Sequence, residues 1–255
     1  MVRAIDHVQR RPRPEVTADA GDELEVGQLV ARPLQEQHRD VNAGEMLGAA
    51  HAWLLYVLAH GAGAGMRHRF MDAIAEALAA RGIATLRYEF SYMAGGARRP
   101  DPPPVLQATV RAAVAKAARL APDLPIVAGG KSLGGRMTSG AQAREPLPGV
   151  QALVFLGFPL HPPKQPGVSR AEHLAGVHVP MLFLQGTRDE LADLDLITSV
   201  CRDLEPRATL HVVDGANHAF VVLKRSGRTN EEAREELVRT IEGWCRELAA
   251  APEAT

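Results

Sequence analysis

One heptapeptide, Gly-Gly-Lys-Ser-Leu-Gly-Gly at residues 129–135, constrains this chain most. The apolar run at 125–128 before it predicts a strand, and the segment after Gly135 predicts a helix. A strand, a sharp turn with a serine at its apex, and a helix together expose a nucleophilic hydroxyl. Glycine is expected at positions 130 and 134 because a Cβ atom there would clash with the neighbouring strand or helix. The pattern therefore predicts Ser132 as a nucleophile.

The same letters also match the end of a phosphate-binding P-loop, which finishes in Gly-Lys-Ser. That motif requires a glycine five residues before its second glycine, so that backbone amides can surround the phosphates. Here this position is Pro125, which has no N–H group to donate. The next apolar run, at 153–156, is followed by Gly157 rather than by an aspartate that could hold Mg²⁺. Both departures favour the nucleophile over the phosphate site.

Length and charge exclude several classes of protein. A chain of 255 residues with a net charge of −1 can bury a large core and has no basic face for nucleic acid. It contains no apolar segment of the signal-peptide or membrane-spanning kind, so we expect a cytoplasmic protein with no membrane partner. The two cysteines, Cys201 and Cys245, suit a reducing compartment and are expected as buried thiols, with a disulfide between them left open. The oligomeric state also stays open.

The N-terminal segment differs from the rest of the chain. Residues 1–22 are polar, with arginines and prolines but almost no apolar partners, and predict a disordered tail. Residues 24–31 alternate weakly and could form an edge strand. No shift in composition divides the remainder, so we expect a single domain over residues 23–250.

Apolar runs and helical patterns alternate along that domain. Six strands are predicted, at residues 53–59, 83–90, 125–129, 150–158, 180–185 and 208–213. Helices are predicted between them, around residues 70–78 and at 105–120, 132–143 and 191–204, with a closing helix at 230–248 capped by Thr229 or Asn230. This order predicts an α/β fold with a mostly parallel, twisted central sheet and helices on both faces. The connection at 159–179 is too short for a large cap domain.

A serine nucleophile needs a base, and the base needs an acid to orient it. Asp189 directly follows the predicted strand at 180–185, at the sheet edge where catalytic groups of open α/β sheets gather. It is our candidate for the acid, although it could instead cap the helix predicted to begin near Leu191. Glu190, Asp193 and Asp195 lie deeper in the loop or helix and are fallbacks.

The base is predicted to be His218. This histidine follows the predicted strand at 208–213 in a glycine-containing turn, and it completes the chain order serine, acid, histidine. His211 lies inside the same predicted strand, which favours a core or face position. His60 precedes the serine and cannot satisfy that order.

An oxyanion hole requires two backbone N–H groups aimed at the developing charge. The residue after the nucleophile, Leu133, is expected to supply one, at the positive end of its helix. The loop His60-Gly-Ala-Gly at residues 60–63 follows a central apolar strand, and its glycines permit close approach to a ligand. Ala62 is therefore the expected second donor.

With these residues identified, the chain resembles the α/β-hydrolase superfamily over about residues 50–249, and in particular a small branch near the dienelactone-hydrolase-like proteins. Four segments carry the resemblance: His-Gly-Ala-Gly-Ala-Gly at 60–65, the serine turn Gly-Gly-Lys-Ser-Leu-Gly-Gly-Arg at 129–136, Gly-Phe-Pro-Leu-His-Pro-Pro at 157–163 and Gln-Gly-Thr-Arg-Asp at 185–189. The resemblance implies a catalytic triad of Ser132, Asp189 and His218 and no cofactor or metal. The first fifty residues match poorly, which leaves the number of leading strands open.

We therefore expect a serine hydrolase that cleaves a small carboxylic ester or thioester through an acyl-enzyme on Ser132. A non-catalytic interaction protein on a hydrolase scaffold, and an acyltransferase using the same triad, are the alternatives. Besides the catalytic groups, five residues could form the substrate pocket: His60, Gly61, Tyr92, Met93 and His161. His161 could equally belong to a crossover loop that its neighbouring prolines stiffen. Arg136 could reach a substrate carboxylate, although a structural ion pair is favoured.

Overall fold

A computed structural model describes residues 44–251 of the chain. The tail predicted at 1–22 and the edge strand predicted at 24–31 lie outside the described residues. Within them the strands are β1 (Glu45–Leu47), β2 (Leu54–Ala59), β3 (Ile83–Tyr88), β4 (Ile126–Lys131), β5 (Val150–Leu156), β6 (Met181–Arg188) and β7 (Ala208–Asn217). The α-helices are α1 (Arg69–Ala79), α2 (Ser91–Ala94), α3 (Pro103–Leu120), α4 (Leu133–Arg144), α5 (Leu194–Asp203) and α6 (Asn230–Ala250). Short 3-10 helices occupy Ala49–His51, Ser169–Gly176 and Lys224–Ser226.

In the described part of the chain, the strands form one sheet of seven in the order β1-β3-β2-β4-β5-β6-β7. Only β1 is antiparallel to its neighbour, and the other pairings are parallel. The predicted α/β fold with a mostly parallel sheet is therefore confirmed. The chain runs from β2 outward to β3 and then returns to place β4 on the other side of β2. That reversal opens a crevice at the carboxyl ends of β2 and β4, where ligands of open α/β sheets bind.

Two apolar layers cover the sheet, one on each face. Side chains from one side of the strands pack against α3, α4 and α5, and those from the other side pack against α1 and α6. All six residues of β2 are buried, which explains why its sequence is apolar without alternation. All six residues of β3 are buried as well, although Thr85 and Arg87 among them are polar. Between β5 and β6, residues 157–180 contain only the 3-10 helix Ser169–Gly176, so no large cap domain is inserted there.

Some element boundaries differ from those the sequence predicts. The helix predicted to begin near Leu191 begins at Leu194, because the side chain of Asp193 caps it by accepting from the N–H groups of Asp195 and Leu196. Strands β6 and β7 extend to Arg188 and Asn217, which pair with each other beyond a bulge. Thr229 is the N-cap of α6 and forms a capping box with Glu232.

No helix among residues 44–251 has the length and apolar character needed to cross a bilayer.

Candidate active site

The turn after β4 holds Ser132 in a strained backbone conformation. Its φ is 51° and its ψ is −115°, a region that non-glycine residues rarely occupy, and α4 begins at the next residue. A Cβ atom at Gly130 would lie 2.2 Å from the carbonyl oxygen of Ala59 in β2, and one at Gly134 would lie 2.6 Å from the carbonyl oxygen of His60. Close approach of the turn to β2 and the loop that follows it therefore requires both glycines.

Ser132, His218 and Asp189 come together at this edge of the sheet. The Nε2 atom of His218 lies 2.8 Å from the Oγ atom of Ser132, and its Nδ1 atom lies 2.7 Å from Oδ2 of Asp189. With the proton assigned to Nδ1, the imidazole donates to the carboxylate and presents a free acceptor to the serine hydroxyl. A hydroxyl, an imidazole and a carboxylate connected in this way can move a proton from the hydroxyl to the imidazole.

The carboxylate of Asp189 is fully enclosed by protein. Its side chain has no solvent exposure, and it accepts hydrogen bonds from the Nε2 atom of Gln185 and from the backbone N–H of Leu191, the latter at 2.8 Å. The fallback acids lie elsewhere. Asp193 caps α5, and Glu190 and Asp195 are exposed.

Lys131, the residue before the serine, shapes the electrostatics of the site. Its Nζ atom donates to the carbonyl oxygen of His218 at 2.6 Å and lies 5.5 Å from the centre of the Phe220 ring. Burial lowers the pKa of Lys131 to about 7, although the negative charge of Asp189 opposes the shift. Burial likewise lowers the pKa of His218. The hydrogen bond with Asp189 acts against that shift, and the charge of Lys131 adds to it. Burial and the charge of Lys131 thus both favour the neutral imidazole.

The loop after β2 approaches the serine closely. A Cβ atom at Gly61 would lie 3.6 Å from the Cβ atom of Ser132. His60 is completely buried and fastens this loop, because its Nδ1 donates to the carbonyl of Gly61 at 2.8 Å and its Nε2 accepts from the N–H of Phe90 at 3.0 Å. Leu133 is the first residue of α4, so its N–H has no acceptor within the helix. Ala62, in the loop after β2, is exposed and lines the same cavity as Ser132.

A cavity of about 660 Å³ opens directly onto Ser132 and His218. Phe70 and Met71 of α1 and Phe220 of the histidine loop supply apolar wall, with the rings of Phe70 and Phe220 stacked at 5.9 Å. Arg69, Glu231 and Arg234 also line the cavity. A space of this size, mostly apolar and with a few polar groups, suits a small organic molecule.

Of the five residues suggested for the substrate pocket, Gly61 lines this cavity and the other four do not. His60 is occupied with the loop described above. Tyr92 is buried and stacks on Phe90, and Met93 packs against the core. His161 is also buried, with its Nε2 accepting from the N–H of Asp193 at 3.0 Å and its Nδ1 beside the carbonyl of Pro162 at 2.8 Å. These contacts correspond to loop stiffening, the second of the two interpretations of His161.

A second serine–histidine pair joins α4 to the 3-10 helix Ser169–Gly176 and was not predicted from the sequence. The Oγ atom of Ser139 is 2.7 Å from Nε2 of His173, and it also donates to the carbonyl of Arg136 at 3.0 Å. Ser139 is fully buried within the helix, and among the described residues no carboxylate is hydrogen-bonded to His173. The pair therefore lacks an orienting acid, and its serine hydroxyl is not accessible to a substrate.

One histidine and both cysteines outside the site have structural roles. His211 lies in β7 and pairs with Glu236 of α6 at 2.8 Å. Cys201 and Cys245 are free, buried thiols, and burial raises the pKa of each to about 12. They are therefore unreactive packing residues rather than a disulfide.

Comparison with known proteins relates this chain to a family. A model described as "Alpha/beta hydrolase domain" matches residues 52–246. Among solved structures, an α/β serine hydrolase homologue from Coxiella burnetii superimposes with a TM-score of 0.61 at 20% identity, covering 77% of this chain and 89% of the other. A dienelactone hydrolase from Anabaena variabilis gives a TM-score of 0.62 at 21% identity, covering 81% and 94%. A lidless serine hydrolase from Xanthomonas campestris gives 0.62 at 21% identity, covering 84% and 94%.

Proposed function

The chain belongs to the α/β-hydrolase family, and from that premise we propose that it is a serine hydrolase cleaving a small carboxylic ester or thioester. The observation that carries this proposal is the pair of short contacts of His218, at 2.8 Å to Ser132 and 2.7 Å to Asp189. Within the family, such a chain of groups activates a serine for acyl transfer.

In the first half of the reaction, Ser132 Oγ attacks the acyl carbon while Nε2 of His218 takes its proton. Asp189 holds the imidazole with its proton on Nδ1 and stabilises the imidazolium that forms. The N–H groups of Leu133 and Ala62 bind the negative oxygen of the tetrahedral intermediate. The imidazolium then protonates the leaving alcohol or thiol, and the acyl group stays on Ser132.

In the second half, water replaces the leaving group. His218 removes a proton from the water, the hydroxide attacks the acyl carbon, and the same N–H groups hold the second oxyanion. Return of the proton to Ser132 releases the carboxylic acid. All atoms come from the ester and the water, so these steps require no cofactor.

The apolar cavity wall supports a small or medium acyl or alcohol group as the substrate portion beside Ser132. Phe70, Met71 and Phe220 can bury a short hydrocarbon chain, at about 0.8 kcal/mol for each methylene removed from water. A volume near 660 Å³ is sufficient for a molecule of metabolite size.

The decisive experiment is labelling with a fluorophosphonate probe, which reacts with activated serines. The native protein, Ser132→Ala and His218→Ala are compared, with Ser139→Ala as the matched control from the second serine–histidine pair. We expect labelling of the native protein and of Ser139→Ala, none of Ser132→Ala, and strongly slowed labelling of His218→Ala. Labelling that survives in Ser132→Ala would overturn the assignment of the nucleophile.

The alternatives predicted from the sequence give different outcomes. A folded native protein that resists the probe, and that turns over no short acyl ester or thioester, would favour the non-catalytic interaction protein. Amides or new esters formed when amines or alcohols are added, in place of free acid, would favour an acyltransferase.

A further inference from the structure

A second cleft, separate from the cavity at Ser132, lies on the other face of the sheet. It measures about 580 Å³ and is bounded by α3, α4 and the 3-10 helix Ser169–Gly176. None of the residues lining it lines the cavity at Ser132. Three arginines line the cleft, namely Arg136, Arg144 and Arg170, together with one carboxylate, Glu172.

Arg136 and Arg170 are partly buried and Arg144 is exposed, and their surroundings differ from those of two other arginines that are at least partly buried, Arg81 and Arg87. Arg87 pairs with Asp72 and with Glu45, and Arg81 pairs with two glutamates of α6. By contrast, among residues 44–251 no carboxylate lies within 4.0 Å of a side-chain nitrogen of Arg136, Arg144 or Arg170. The structural ion pair favoured for Arg136 on sequence grounds is therefore not formed within this part of the chain.

Arg136 lies in an environment that is unfavourable for an isolated cation. Its Nε atom is buried and has no hydrogen-bond partner among the described groups. Burial lowers the pKa of Arg136, and repulsion from Arg170 lowers it further. A partly desolvated guanidinium without an acceptor costs free energy, and a second cation nearby increases that cost. An anion placed between the two arginines would remove both penalties.

The remaining groups of the cleft permit such an anion. His173 has its Nε2 at the Ser139 hydroxyl, and both burial and the charge of Arg136 lower its pKa, so it adds no fixed positive charge near neutral pH. Glu172 is exposed, and Gln107 of α3 adds a neutral amide to the lining. The planar guanidinium offers parallel N–H donors that match the oxygens of phosphate and carboxylate groups.

We propose that this cleft binds a small molecule through a phosphate or carboxylate group held between Arg136 and Arg170. The cleft's volume exceeds that of an inorganic ion and leaves room for an organic portion against Met137 and the Pro103 end of α3. The site is separate from the substrate cavity, so it stands whether or not Ser132 is a nucleophile.

Titration calorimetry at low ionic strength tests the proposal with three probes: inorganic phosphate, glycerol phosphate and citrate. The native protein is compared with Arg136→Gln and Arg170→Gln. Arg119→Gln is the matched control, since it removes one positive charge from an exposed position in the last turn of α3, outside the cleft. Thermal unfolding without probe verifies that each variant folds. Because two arginines are replaced separately, misfolding of one variant cannot explain a loss of probe binding that both variants show.

We expect at least one probe to bind the native protein and Arg119→Gln equally, and to bind each cleft variant about tenfold or more weakly. Preference for glycerol phosphate over phosphate indicates an organic phosphate ligand, preference for citrate indicates a carboxylate ligand, and equal binding of phosphate and glycerol phosphate indicates recognition of the phosphate group alone. If no probe binds at millimolar concentration, or if both cleft variants bind as the native protein does, the proposal is wrong.

Fluorophosphonate labelling in the presence of the probe separates this result from the proposed function. An anion in the cleft leaves the access of the fluorophosphonate to Ser132 unobstructed, whereas an anion bound in the substrate cavity blocks it. Blocked labelling of the native protein by the same anion would therefore overturn the assignment of the binding to the arginine cleft.

Discussion

The ammonium of Lys131 donates to the backbone carbonyl of His218, with 2.6 Å between Nζ and the oxygen. This contact joins the strand end that precedes Ser132 to the loop that carries the histidine. It fixes the backbone of the loop and places a positive charge beside the imidazole, which adds to the larger effect of burial in lowering the pKa of His218. Lys131 is thus a positioning residue that also favours the neutral form of the proposed base.

Replacing Lys131 with methionine is expected to change the pH dependence of hydrolysis. The base must be neutral, so kcat/KM falls as the pH drops through the pKa of His218, which burial and the charge of Lys131 lower from its ordinary value. Lys131 is charged throughout that acidic range because its own pKa is about 7. Lys131→Met removes the charge, raises the pKa of His218 and moves the acid limb of the profile to higher pH. A pH profile of kcat/KM measures the displacement.

An exposed lysine provides the control for this experiment. Lys224 lies in the 3-10 helix Lys224–Ser226, and its replacement by methionine removes the same charge away from the imidazole. The acid limb should not move in Lys224→Met. A limb that stays in place in Lys131→Met as well, with only kcat reduced, would limit Lys131 to holding the loop.

Asp189→Asn is expected to lower kcat by about 10³–10⁴ with little change in KM. The amide is neutral, and its NH2 group can donate to Nδ1, so the imidazole is held in the wrong tautomer and its charged form loses stabilisation. Asp195→Asn, a fallback acid that is exposed in the first turn of α5, should retain native activity. The reverse result would assign the acid to Asp195. Steady-state kinetics on a short acyl ester distinguishes the two.

Phe70→Ala is expected to shift preference toward longer acyl chains. The Phe70 ring forms part of the cavity wall and stacks on Phe220 with an angle of 9° between the rings, so its removal deepens the apolar space. One methylene in such a pocket changes specificity by about 1–3 kcal/mol. The ratio of kcat/KM for hexanoyl and acetyl esters should therefore rise. Phe70→Leu, which keeps most of the volume, should change the ratio less, and an equal loss for every ester would show that Phe70 does not contact the acyl group.

The order of strands and helices could be predicted from the sequence because buried strands require apolar residues. Strands β2 to β7 are apolar runs long enough to identify, and their alternation with helices determines a parallel sheet. Strand β1 has three half-buried residues, too few for any periodicity, and was not predicted. The polar ends of β6 and β7 were missed for a related reason, since Arg188 and Asn217 pair through the backbone with no apolar signal.

At the site, position along the chain predicted which side chains lie close together, but not which ones line the cavity. Ser132, Asp189 and His218 each follow a strand at the same edge of the sheet, so the topology brings them together. Topology does not determine whether the side chain of a loop residue points into the cavity or into the core. His161 and Tyr92 also follow strands and yet are buried, and Lys131 gives no sequence signal that it reaches the histidine loop.

Two glycines of α4 are expected to respond differently to replacement by alanine, because the first lies close to the loop after β2 and the second does not. A Cβ atom at Gly134 would lie 2.6 Å from the His60 carbonyl and 2.7 Å from the Ala59 side chain, and neither backbone can yield without moving the proposed oxyanion loop. We expect Gly134→Ala to destabilise the protein by about 1–3 kcal/mol and to abolish probe labelling.

Gly140, six residues further along α4, is the matched comparison. A Cβ atom there would meet only the terminal amide group of Gln107, with its nitrogen at 2.6 Å, which a side-chain rotation can move away. Alanine at this position removes the conformational entropy cost of glycine in a helix, so Gly140→Ala should stabilise the protein by about 0.5–1 kcal/mol and label normally. Chemical denaturation and probe labelling of both variants test the pair. Equal labelling of the two would mean that the loop after β2 does not need to approach α4 closely for Ser132 to react.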